Sequence, residues 1–117
     1  MLFFKKKKEI NDTNIRENKY AIEELAAGMD SVIFAMKDED LKKRLMVIQE
    51  KIKYFNPTCD SRAQDLDKKI KNLISDIKVD IIKMKDDGSY EKIENKIMQI
   101  EMMVPDRCAY ANSKVRG

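Results

Sequence analysis

Residues 61–85, SRAQDLDKKIKNLISDIKVDIIKMK, decide the fold class. Apolar side chains stand at Ala63, Leu66, Ile70, Leu73, Ile77, Ile81 and Met84, a 3-4-3-4-4-3 spacing. That rhythm lines one face of an α-helix, where 3.6 residues make a turn. Asp65 and Asp67 come early and Lys83 and Lys85 late, the order that the helix dipole favours. Ser61 and Gln64 have the spacing of a capping box. Asp86, Asp87 and Gly88 end the run, with Gly88 a candidate left-handed cap. Such a helix spans about 37 Å.

The same rhythm recurs on both sides. From Asn14 to Met36, Ile15, Ile22, Met29 and Met36 repeat every seven residues, with Leu25 and Val32 between them and Ala26 and Ile33 alongside. Asn14 and Glu17 offer a second capping box. Gly28 costs this helix about 1 kcal/mol against alanine, which close approach of a neighbouring helix would explain. From Asp40 to Phe55, Leu41, Leu45, Ile48, Ile52 and Phe55 follow 4-3-4-3, until Asn56-Pro57 stops the helix. From Ser89, Tyr90, Ile93, Ile97, Ile100 and Val104 follow 3-4-3-4. Pro105 is a stop signal, yet Cys108, Ala111 and Val115 keep the register, so the spacing predicts a helix that runs through it to about Ser113.

Composition agrees. Only 3 Gly, 2 Pro and no Trp stand among 117 residues, too few turn residues for a sandwich or barrel of short strands. Apolar residues at 43% supply a core, and charged residues at 38% confine it to narrow stripes. Short connections fold consecutive helices antiparallel. The expectation is an all-α, antiparallel four-helix bundle built from two helical hairpins, residues 14–55 and 61–113. A flexible basic tail, 1–12, precedes a single domain, 13–115.

The sequence narrows function mainly by exclusion. There is no histidine, so the commonest general base and metal ligand is missing. Lys5, Lys6, Lys7 and Lys8 supply four positive charges to a net of +3, leaving the remainder slightly acidic. Acids and bases alternate along every segment, as on solvated helix faces, which disfavours specific nucleic-acid binding. No stretch approaches the ~18 apolar residues of a membrane span. Met1–Phe4 precede the lysines instead of following them, opposite to a secretory signal. The expected location is the cytoplasm, with reduced thiols.

The segment Lys53-Tyr54-Phe55-Asn56-Pro57 resembles a Lys/Arg-Tyr-Ser-Asp-Pro junction of small uncharacterised helical proteins of Gram-positive bacteria. Those proteins also have a long helix after the proline, an acidic-glycine turn, here Asp86-Asp87-Gly88, and an Arg-Cys pair near the end, here Arg107-Cys108. The likeness covers about residues 41–110, with Phe55 and Asn56 in place of Ser-Asp. It implies an α-helical bacterial protein and carries no activity to transfer.

Candidate chemistry is sparse. If the fourth helix stopped at Pro105, a tail could return Cys108 to Cys59 as a thiol pair. If it continues, their Cα atoms exceed the ~7 Å limit for a disulfide and Cys108 fills the core. Cys59 lies near a helix N-terminus, but the chain has no histidine to activate it as a nucleophile. Asp76 and Asp80 with Glu23, Glu24, Glu94 and Glu101 lack the Glu-x-x-His pairs of a di-iron bundle. Reading Gly88 as the sixth position of a calcium loop puts Lys83 and Lys85 where ligands must be. No cofactor or metal is expected.

Two features remain. Met98, Met102 and Met103 either widen the core or offer an adaptable face to a partner. Leu2, Phe3 and Phe4 followed by Lys5–Lys8 suit weak contact with an anionic membrane surface, with lipid-facing side chains beside headgroup-facing lysines. The expected function is a non-catalytic helical interaction or structural module that binds a protein partner or self-associates. The alternative is a peripheral adaptor tethered to the inner face of the membrane by residues 1–8.

Overall fold

The computed structural model describes residues 2–84 and 88–112, with side chains from residue 13 onward. Four helices follow one another: α1 (Leu2–Ala35), α2 (Glu39–Lys53), α3 (Ser61–Lys83) and α4 (Glu91–Asn112). They pack as an all-α four-helix bundle made of two antiparallel hairpins, α1–α2 and α3–α4. Its core is a continuous column that includes Met29, Val32, Leu45, Ile52, Ile70, Ile77, Ile97 and Ile100.

The termini show why each helix sits where it does. Asp38 caps α2 by accepting from the Leu41 N–H at 3.0 Å. Asp60, not Ser61, caps α3: its carboxylate accepts from the N–H groups of Arg62 and Ala63. Gln64 turns instead to the Thr58 carbonyl, at 2.8 Å. The helix leaves its path at Met84, whose backbone is extended, before the Asp86-Asp87-Gly88 breaker. Residues 85–87 lie outside the described residues.

One helix boundary departs from expectation and another agrees with it. The Asn14–Glu17 box does not start a helix, because α1 already begins at Leu2. No proline or glycine precedes Gly28, and lengthening an existing helix is far easier than nucleating one. At the other end, α4 continues through Pro105 to Asn112, as its register predicts. Val115, the last position of that register, lies outside the described residues.

Going round the bundle, each helix touches two others: α1 meets α2 and α3, and α4 meets α3 and α2. Among the described residues, α2 and α3 do not pack together, although they are consecutive. They occupy opposite corners, so residues 54–60 cross the end of the bundle diagonally. Side-by-side pairs give the directions. Asn18 meets Asp67 and Glu24 meets Lys71, so α1 and α3 run parallel. Arg44 meets both Glu94 and Glu101, and Asn56 meets Asn112, so α2 and α4 also run parallel. Gly28 lies along the α1–α3 seam, where a Cβ would meet the Ile74 methyl at 3.4 Å, so close approach is its structural setting.

Two places in the expected core are corrected: Ile15 is exposed and Leu66 is only half-buried, whereas Cys108, also half-buried, packs against the core. The core positions near them belong to Asn18, Asp67 and Arg107, all buried polar residues.

Candidate functional site

Those three residues meet where the diagonal crossover closes the bundle. A seven-residue segment laid across the end of a core brings peptide groups to a dry surface, where each needs a partner. Phe55 first plugs the column, 5% exposed. The carbonyl of Asn56 then accepts from Arg107 Nη1 at 2.8 Å, and the N–H of Thr58 donates to Asn18 Oδ1 at 3.0 Å. These groups in turn hold one another. Arg107 Nε donates to Asp67 Oδ1 at 2.8 Å, and Nη2 donates to Asp67 Oδ2 at 3.1 Å and to Asn18 Oδ1 at 3.0 Å. Asn18 Nδ2 donates to Asp67 Oδ2 at 2.9 Å. The Arg107 guanidinium lies 4.5 Å from the Phe55 ring centroid, close enough for a cation–π contact.

The cluster is electrically neutral, and each of its side-chain nitrogens and oxygens has at least one hydrogen-bond partner. Among the described residues no buried side-chain nitrogen or oxygen lacks a hydrogen-bond partner. A buried charge pair whose polar atoms are all partnered is a fixed joint. Its chemistry is structural: α1, α3, α4 and the α2–α3 crossover are tied at one point. Outside it, a groove of about 330 Å³ between α1 and α3 reaches Asn18 and Asp67 and is bordered by Glu17, Glu24, Lys68 and Lys71. Beside the joint, Asp60 bonds Arg62, which stacks over Tyr110 at 4.5 Å. The Arg62 guanidinium, with the two capped N–H groups, holds the Asp60 carboxyl down at about 2.

The residues singled out in the sequence fall elsewhere. Cys59 is an exposed free thiol in the crossover, and Cys108 is a half-buried free thiol on α4. Met98 and Met102 are exposed, whereas Met103 packs against the core. The side chains of Leu2, Phe3, Phe4 and Lys5–Lys8 lie outside those described; their backbone forms the first turns of α1.

Met98 and Met102 belong to a wider face across α2 and α4. Val47 of α2 and Tyr54, the residue that caps its C-terminus, are 54% and 77% exposed, and Met98 and Met102 of α4 are 45% and 68% exposed. Between the helices runs a groove of about 410 Å³ lined by Glu50, Lys51, Tyr54, Val104, Pro105 and Cys108. Arg44 spans the seam to Glu101 at 2.6 Å and Glu94 at 3.5 Å. The Arg44 hydrogen bond holds the Glu101 carboxyl below its ordinary range, and Lys51 adds to that pull. Sequence reading found the methionines but missed Val47 and Tyr54. The signal was their seven-residue spacing on the outside of α2.

No family model matches this chain, and neither a curated protein nor a solved structure matches it. No helix among the described residues is long and apolar enough to cross a membrane.

Proposed function

We propose that this chain is a non-catalytic helical interaction module, binding a protein partner or self-associating through the α2–α4 face. The observation that carries the reading is that four exposed apolar side chains, Val47, Tyr54, Met98 and Met102, stand on, or cap, the two helices that form the α2–α4 seam and its groove. Thioether and aromatic groups of this kind supply contact area at small entropic cost. The polar joint supports the same reading, because it makes the bundle a rigid frame for that face.

Affinity capture from the source cells, paired with sedimentation of the pure chain, tests it. The unmodified chain should retain a partner or sediment as an oligomer, and M98E/M102E should lose that association while staying helical. A monomer that captures nothing would end the reading.

The second reading, a peripheral membrane adaptor, is favoured by the length of α1. Asn18 sits level with Asp67, so residues 2–11 run past the start of α3. Leu2–Lys8 therefore stand off the end of the bundle. Flotation with anionic vesicles tests this: deleting residues 2–8 should abolish binding, and equal flotation of both chains would exclude the tether.

A further inference from the structure

We infer that α1 enters an anionic membrane surface steeply, with Leu2–Phe4 deepest and Lys5–Lys8 at the level of the headgroups, so that the bundle stands upright on the bilayer. The inference rests on the second reading above and adds an orientation to it. Its basis is the way residues divide along α1 instead of around it. Leu2, Phe3 and Phe4 fill one turn, and Lys5, Lys6, Lys7 and Lys8 fill the next. Consecutive residues of an α-helix are set about 100° apart, so four in a row occupy positions on all sides of it.

A helix that lies in the plane of the interface needs an apolar face opposite a polar one. This stretch has none. Lys5 and Lys6 follow Leu2 one turn on, Lys6 and Lys7 follow Phe3, and Lys7 and Lys8 follow Phe4. Every line along the helix from the apolar turn meets a lysine. An apolar band followed by a cationic band matches the layers of a bilayer only when the axis runs steeply into it. The acids agree. Glu9 and Asp12 come after the lysines, on the bundle side of them. A flat helix would lay both carboxylates on the anionic surface beside Lys5–Lys8. A steep one carries them about 4 and 8 Å behind the middle of the lysine band.

The fold leaves room for this approach. Asn18 of α1 meets Asp67 of α3, and the two helices run parallel, so Ser61 at the start of α3 is level with about residue 12. Arg107 also meets Asp67, which brings Asn112 at the end of α4 to nearly the same level. Leu2–Lys8 therefore stand about 6–15 Å clear of both helix ends. The lysines reach lipid before the mixed charges of the bundle do.

Polarised infrared spectroscopy of the full chain on supported bilayers is the test, with phosphatidylcholine alone and phosphatidylcholine mixed with phosphatidylglycerol. Because all four helices share one direction, the amide I dichroism of the whole chain reports the tilt of α1. The chain should adsorb only where phosphatidylglycerol is present, with its helices near the bilayer normal. K5Q, K6Q, K7Q and K8Q should each weaken adsorption by a similar factor, about fivefold, since lysines on every side meet headgroups at one depth. Helices lying parallel to the surface, or a loss confined to the lysines of one side, would overturn the orientation and leave the tether standing. Adsorption indifferent to phosphatidylglycerol would overturn the placing of the lysines at the headgroups. A chain that adsorbs to neither bilayer would remove the tether itself, and the orientation with it.

Discussion

Arg107 and Arg44 make nearly the same contact in very different places. Each grips a carboxylate on a neighbouring helix with Nε and Nη2. Arg107 holds Asp67 at 2.8 and 3.1 Å, and Arg44 holds Glu101 at 3.1 and 2.6 Å. The Arg107 and Asp67 side chains are 0% and 5% exposed, whereas those of Arg44 and Glu101 are 31% and 35% exposed. Burial changes what the bond is for. In water a lost ion pair is replaced by hydration; in the core it leaves a charge with no alternative partner. The crossover end is therefore an all-or-none joint. The α2–α4 seam keeps its charges partly in water, which can replace either partner.

Arg107→Met breaks the comparison most directly. It strands Asp67 and removes the donor to the Asn56 carbonyl, so a loss of roughly 3–5 kcal/mol in urea unfolding is expected. If unmet charge is the cause, Arg107→Met with Asp67→Leu should recover part of that loss. A double variant no better than the single one would show that shape and the crossover bonds dominate instead.

Pro105 lies on the same helix between the two regions and sharpens the comparison from the other direction. A proline inside a helix lacks the N–H that would bond the Glu101 carbonyl, at a cost of about 3 kcal/mol. The helix continues regardless, because stopping at Val104 would forfeit the bonds of Arg107. Pro105→Ala should therefore raise the thermal midpoint, with a gain of about 1–3 kcal/mol. An unchanged midpoint would mean that this helix already bends without strain.

Asp60 caps α3 beside the joint while remaining partly open to water. Asp60→Ala should cost about 1 kcal/mol. Its carboxyl is depressed from 3.8 to about 2, so the folded state holds the ionised form more tightly than the unfolded chain does. That contribution is complete above pH about 4 and is lost as pH falls towards 2. The alanine variant should lack this part of the acid limb in denaturation measured between those two values.

How much of this was legible in the sequence follows from the same contrast. The heptads placed four helices and two hairpins because aliphatic burial repeats along the whole length of each helix. The joint was hidden by its own register. Asn18 continues Ile22, Leu25 and Met29; Asp67 falls between Ala63 and Ile70; Arg107 follows Ile100 and Val104. In each helix a polar residue occupies the core position, and in α1 and α3 a neighbouring Ile15 or Leu66 draws an apolar reading off the true stripe. A polar residue in register on one helix is ordinary. That three of them meet, and that the crossover is diagonal, depends on contacts between residues 40–89 positions apart, which no local pattern encodes. The Lys53–Pro57 junction and Arg107, quoted for their resemblance, turn out to touch through Phe55 and Asn56.

The smallest expected effect lies at the exposed pair. Arg44→Met should change stability by about 0.2–1 kcal/mol in low salt and less at high ionic strength, because solvent and counter-ions already screen this contact. The Glu101 carboxyl, released from the guanidinium, should titrate closer to its ordinary range, a rise that carboxyl carbon NMR would follow. The same replacement in the buried joint is expected to cost several times more, although both pairs use the same two nitrogens. Equal losses at the two sites would mean that geometry alone sets the worth of an arginine–carboxylate bond in this bundle. A several-fold difference would assign that worth to burial.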